Sequence, residues 1–386
     1  MVFKHPFFKA GFRPFFFVAM IAGVVLPWLW LKVLFGEVSI SRLNMSSLSW
    51  HVHEMYFGFG MAVLGGFLLT ASKNWVKIRG IHGMALGGLW VTWLIERVVM
   101  WNLWSVENPI VLFLLQNIFL FILIPYLLFT LIKYRGQDTF KDNFYFLLIL
   151  PMLLVAKIML LRHGDYKAIS ELLIGIFRVA FAVMFERTIT QFMKNSQGVV
   201  LLRHALLDHS IKAILLILIF LPILPQNIGS VLALLAGVLF LLRGVLWRPL
   251  IAFRSFGIAV MYVGYFSLGV HLVLTAGERF SWWATTGTMA QHWFSFFVMG
   301  VIIPAMFIRI IQGHTGRKII FTFTDKLALG SMILAGVVRT ILPQYFSEHY
   351  QLLLNVSAVL WSFCFLLILL RLSPFLFVDR IDGKEH

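Results

Sequence analysis

Apolar residues run in long blocks along almost the whole chain, each closed by a short polar break. A helix needs about 20 mostly apolar residues to cross the hydrocarbon core of a bilayer. Twelve such blocks can be marked, at 15–36, 52–72, 83–104, 110–132, 144–162, 168–192, 210–225, 228–247, 255–277, 286–310, 325–343 and 350–372. The short alternating segments of a transmembrane β-barrel are missing. The pattern therefore predicts an all-α, polytopic membrane protein of about twelve transmembrane helices. Pro222 and Pro225 break what is otherwise one apolar stretch, which predicts a tight hairpin between the seventh and eighth spans.

The connecting segments are short and none is low in complexity, so residues 1–386 read as a single transmembrane domain with no separate soluble domain. The longest outer loop, 37–51, carries Glu37, Arg42 and a serine-rich tract. The N-terminal segment has basic residues but no small-residue cleavage site, and reads as leading into an uncleaved first span. Composition agrees: 60% of residues are hydrophobic, 12% are charged, and mean hydropathy is +0.91. Soluble domains carry roughly a quarter charged residues. Lipid must be the solvent for most of this surface.

Net charge is +16, from 32 Lys and Arg against 16 Asp and Glu. In a soluble protein that excess would suggest nucleic acid. Here the basic residues sit mainly in alternate loops: Lys4, Lys9 and Arg13 before the first span, Lys73, Lys77 and Arg79 after the second, Lys133, Arg135 and Lys141 after the fourth. Lys194 and Arg203 follow the sixth, Arg248 and Arg254 the eighth, and Arg309, Arg317 and Lys318 the tenth. The positive-inside rule then puts the N- and C-termini in the cytoplasm. Membrane lipid, not nucleic acid, is the expected partner. The one cysteine, Cys364, excludes a disulfide framework, a CxxC pair and a cysteine-based metal site.

Histidines are the notable polar residues of the spans. Because spans alternate in direction, His51, His53, His271 and His292 all fall toward the outer face, whereas His82, His204, His209 and His314 fall toward the cytoplasmic one. His292 and His314 are separated by about 33 Å of helix and cannot share one metal. Neutral imidazole is the commonest biological metal ligand, and intramembrane ionisable residues mark function by default. His51 and His53 point about 200° apart on a helix, so they face different partners unless the helix begins between them. Glu54 could orient a ligand imidazole. The ordinary alternative is an interfacial histidine that caps a helix. Gly58, Gly60, Gly65, Gly264 and Ser267 lie on the histidine-bearing faces, where small residues either leave room for a flat macrocycle or let helices approach.

Glu96–Arg97 and Glu186–Arg187 are charged neighbours inside apolar runs. Arg97 could meet haem propionates, and an interhelical ion pair is the structural reading. Met55 and Met299 are the methionines placed to reach a metal. No P-loop, Rossmann fingerprint, HExxH or nucleophile elbow is present.

The stretch from Trp50 to Trp75, WHVHEMYFGFGMAVLGGFLLTASKNW, resembles the signature of the NnrS family of bacterial membrane proteins. GFRPFF at Gly11–Phe16 and GHTGR at Gly313–Arg317 are similar to further pieces of that family, and His292 opens the same span as GHTGR. Tyr262 stands where the family pattern carries a histidine before Gly–Tyr, with His271 further on. The resemblance implies a haem b, with copper as a second candidate cofactor, in a protein of the bacterial inner membrane that answers nitric oxide and nitrosative stress. By residue it reaches His51, His53, Glu54, His292 and His314.

The combined reading places a histidine-ligated redox site near the outer leaflet. Haem ligands are drawn from His51, His53, His271 and His292, with Arg97 on the propionates. Copper would use the remaining outer histidines with Met55, and His314 is a candidate for a second metal or a helix cap. Such a protein could be a haem-dependent oxidoreductase acting on nitric oxide or a similar small ligand, with an electron donor the sequence does not identify. The competing classes are a proton-coupled transporter and a non-catalytic metal or nitric oxide sensor.

Overall fold

A computed structural model describes residues 5–384 apart from 41, 42, 44, 102 and 163, so Lys4 and Arg42 lie outside the described residues. Among the described residues there is no strand, and twelve helices are long and apolar enough to cross a membrane. They are α1 (Phe12–Leu34), α2 (Ser47–Trp75), α3 (Gly83–Met100), α4 (Pro109–Lys133), α5 (Lys141–Leu161) and α6 (Tyr166–Gln197). They continue as α7 (Ala205–Ile223), α8 (Gln226–Leu246), α9 (Phe256–Arg279), α10 (Met289–His314), α11 (Phe323–Gln344) and α12 (Ser347–Leu376). Each expected span is present.

The boundaries moved where caps decide them. Ser46 Oγ accepts a hydrogen bond from the Ser49 amide at 3.0 Å, so α2 begins at Ser47, ahead of the apolar run. Arg13 belongs to α1 and is buried, donating to the carbonyls of Leu376 and Val378, both at 2.7 Å. It is a structural clamp on the chain after α12, not a loop charge facing lipid headgroups. The expected hairpin between α7 and α8 is formed: the helix tightens at Leu218–Ile223, Phe220 leaves helical geometry, and Pro225 caps α8.

Burial divides the spans unevenly. The apolar windows of α2, α6 and α10 are 78%, 72% and 72% buried, whereas α4 and α7 reach only 39% each. With α9, whose window is 67% buried, α2, α6 and α10 are spans that can keep polar side chains inside the protein. α2 and α10 share a further feature. Each contains a seven-residue π-helical stretch, Glu54–Gly60 and Phe294–Gly300, just after a histidine. Such stretches are rare and mark functional sites often.

The chain forms two compact units. The first comprises the chain up to Ile169, with Phe307–Ile320 and the chain from Phe365 onward; the second comprises Ser170–Met306 and Phe321–Cys364. Within the second unit, α8 and α9 meet through glycine. A Cβ on Gly237 would lie 3.0 Å from the Gly269 carbonyl oxygen, and one on Gly269 would lie 2.8 Å from Leu241 Cδ2. Backbones approach this closely in lipid because only packing and weak polar contacts hold helices together there.

Candidate functional site

In the first unit the site grows from the start of α2. Trp50 is buried and its indole Nε1 donates to the Met100 carbonyl at 2.7 Å, which ties α2 to the end of α3. His51 stacks on Trp30, with ring centroids 4.2 Å apart and planes 20° from parallel. His53 turns inward and is fully buried. Both histidines lie inside the helix, so their spacing does separate them onto different neighbours.

His53 Nδ1 is 2.8 Å from Glu54 Oε1. The same carboxylate accepts from Arg97 Nη1, and its other oxygen accepts from Trp101 Nε1 at 2.6 Å. An ionised carboxylate can only accept, so the proton sits on Nδ1 and Nε2 carries a lone pair. That Nε2 is buried and has no hydrogen-bond partner among the described residues. A carboxylate behind Nδ1 with a bare Nε2 in front is how proteins present imidazole to a metal.

Arg97 also reaches Glu96, and Lys157 Nζ donates to Glu96 at 2.6 Å. Glu54, Glu96, Arg97 and Lys157 are all buried, two acids facing two bases. A buried ion is tolerated only when paired and hydrogen-bonded. Gly58 makes room: a Cβ there would lie 2.8 Å from Arg97 Nη1 and 3.1 Å from Glu54 Oε2. Its carbonyl accepts from Trp93 Nε1 at 3.1 Å. Arg97 is therefore held by ion pairs on both Nη atoms, one across to Glu54 of α2 and one to its own neighbour Glu96.

The second unit holds His271 and His292. His271 Nδ1 is 2.9 Å from the Ala290 carbonyl, which fixes the proton on Nδ1. Its Nε2 is buried and, like that of His53, has no partner among the described residues. His292 differs. Arg339 Nη2 donates to its Nε2 at 3.1 Å, and its Nδ1 is 2.9 Å from the Thr288 carbonyl. Its lone pair is already used. A second network here, buried except for the exposed Arg203, joins Glu186 to Lys212 and Arg243, and Asp208 to Arg203 and Arg243, with Arg243 Nε donating to Tyr265 Oη at 2.7 Å.

His314 ends α10 in the first unit. Its ring lies 5.5 Å from that of Phe12, and its carbonyl accepts from Arg380 Nη1 at 3.0 Å. The rest of GHTGR is capping and anchoring: Gly316 closes the helix at φ +78°, and Arg317 stacks on Phe375 at 4.1 Å. Met55 is half-buried and Met299 buried. Among the described residues no group of three or more His, Cys, Asp or Glu side chains is placed to hold an ion.

At Gly65 and Gly264, on the histidine faces, neighbours fill the space. A Cβ on Gly65 would meet Leu123 Cδ2 at 2.9 Å, and one on Gly264 would press into Ile302. They serve helix packing. Tyr262, in the place of a family histidine, is buried and donates to the Trp247 carbonyl at 2.5 Å. Lys157 escaped the sequence reading, although a lone lysine in the block 144–162 is the kind of costly charge that signals a buried partner.

The three specific motifs of the sequence, GFRPFF, the α2 signature and GHTGR, come together in the first unit: Phe12 N donates to Thr70 Oγ1 at 2.8 Å and its ring meets His314. A family model described as "NnrS protein" matches residues 6–380. No curated protein matches the chain.

Proposed function

The chain belongs to the NnrS family, and on that footing we propose that it is a haem-binding protein, with copper as a second metal, acting in nitric oxide and nitrosative stress defence in the bacterial cytoplasmic membrane. The observation that carries this reading is the pair of buried imidazole nitrogens, His53 Nε2 and His271 Nε2, each left without a partner. An unpartnered buried polar atom costs about 1–3 kcal/mol. A metal bond offsets that cost.

His53, in the first unit, and His271, in the second, are each proposed as a metal ligand within their own unit. Glu54 fixes the tautomer of His53 and raises its basicity, while Arg97 and Trp101 keep Glu54 ionised and in place. The Ala290 carbonyl does the same, more weakly, for His271. When bound, haem iron supplies a site for nitric oxide and a one-electron couple. Phe57 and Phe294, whose rings lie 5.4 Å and 5.1 Å from those of His53 and His271, place an apolar wall beside each imidazole. His292 contributes as a ligand only after Arg339 releases it.

Protein purified from membranes should show a Soret band and contain iron. His53→Ala and His271→Ala should each lower the bound iron or copper and change the spectrum, while His51→Ala should not. A colourless, metal-free wild type, or spectra untouched by both substitutions, removes the proposal. Nitric oxide consumption by reconstituted vesicles separates an enzyme from a sensor.

A further inference from the structure

At the opposite end of α2 from His53, the first unit carries an open cavity of about 440 Å³. It is walled by the segment before α1, the end of α2, the α2–α3 loop and the chain after α12. Five basic side chains line it, Lys9, Lys73, Arg79, Arg380 and Lys384, against the single carboxylate of Asp379. Lys9 is paired with Asp379, and Arg380 with Asp382. Lys73 and Arg79 have no acidic partner within ion-pair distance among the described residues, so the wall keeps uncompensated positive charge.

The backbone adds to that field. α3 opens at Gly83, which lines the cavity, and its N-cap His82 makes no side-chain hydrogen bond to the first turn. An uncapped helix N-terminus carries free amides and the positive end of the dipole. Gly80 permits the close wall, since a Cβ there would lie 3.0 Å from Lys73 Cδ. Phe8, Leu69 and Ile81 supply an apolar side. A cavity that is basic on one side, apolar on another, and level with the ends of membrane spans suits a phosphate ester with an apolar body.

We propose that this cavity is a binding site for a phosphate-bearing anion, occupied by the headgroup of an anionic phospholipid. Lys73 and Arg79 make the charge contacts, and the first turn of α3 receives the phosphate oxygens. Basic pockets between spans hold acidic headgroups in this way. The site is independent of the haem reading. Its chemistry is shared by free inorganic phosphate, and the experiment distinguishes the two sources.

Full-length protein in a neutral detergent is titrated with short-chain phosphatidylglycerol, short-chain phosphatidylcholine and inorganic phosphate, with binding read by native mass spectrometry and by thermal shift. Phosphatidylglycerol should bind and phosphatidylcholine should not, and binding should weaken as salt rises. Lys73→Gln with Arg79→Gln should weaken it roughly tenfold or more. Arg79→Gln alone, at an exposed loop position, leaves packing untouched and should still weaken binding several-fold. Phosphate binding as tightly as the lipid would assign the site to a soluble anion and overturn the lipid occupant. Wild type binding none of the three, or variants binding as well as wild type, overturns the site itself.

Discussion

Replacing Glu54 by glutamine keeps the size of the side chain and removes its charge. In the structure Glu54 accepts from His53, Arg97 and Trp101, and it is one of two acids that offset Arg97 and Lys157. A glutamine has one acceptor oxygen and a donor amide, so one of those three donors must face another donor. The network is also left with one excess buried positive charge. Breaking a buried pair by removing one partner costs roughly 3–5 kcal/mol, a large share of the 5–15 kcal/mol that holds a typical domain together. The expected result is an unfolding free energy for Glu54→Gln in detergent lower by that amount, read as a lower denaturant midpoint. His53 should also lose its oriented tautomer, with metal affinity down about 10- to 100-fold. Adding Lys157→Met restores the balance of one acid and one base, and should recover part of the stability but none of the metal affinity. Stability within about 0.5 kcal/mol of wild type, as for a neutral surface change, would refute the charge argument. Full recovery of the spectrum in the double variant would refute the role given to Glu54.

Gly58→Ala drives a methyl toward Arg97 Nη1 and Glu54 Oε2, and should destabilise by about 1–3 kcal/mol through strain, measured by the same unfolding. Gly237→Val should separate α8 from α9, because the Gly269 carbonyl already sits where the side chain would go; a crosslink between these helices should then form more slowly. Gly316→Ala meets both a φ of +78° and the backbone of Asp382, so it should loosen the segment after α12 and speed its proteolysis by trypsin at Arg380. Asp382 lies outside the spans, and Arg380 holds its carboxyl down at about 2. Its contribution is therefore complete above the ordinary carboxyl range near 3.8 and is lost as pH falls through about 2, whereas Asp382→Asn removes that acid step. A carboxyl titration by NMR checks the sign.

Twelve apolar blocks were enough to place twelve helices, because in lipid every backbone group must be satisfied within its own segment. What hydropathy missed lies in polar detail. The start of α2 depends on the Ser46 cap and not on apolar content. Glycines beside histidines suggested an opening, yet Leu123 and Arg97 occupy the space, since small residues invite neighbours as readily as ligands. His53 and His292 look alike in sequence. Only their partners, the adjacent Glu54 held by Arg97 of α3 in one case and Arg339 of α11 in the other, separate a bare nitrogen from an engaged one. The two units draw on distant stretches of chain, so no local pattern could reveal them.

The π-helical stretch at Glu54–Gly60 has a consequence for how α2 can vary. A wide turn of this kind holds one residue more than a regular coil would, so the two halves of the helix are set by a single inserted position. Deleting one residue there would restore ordinary winding and rotate everything before it by about 100° relative to the rest. His53 would then swing off the interior while Trp75 and Thr70 kept their places. Insertions and deletions in these seven residues should thus be far less tolerated than substitutions, with the wide turn acting as a phase-setter between an anchored half and an imidazole-bearing half.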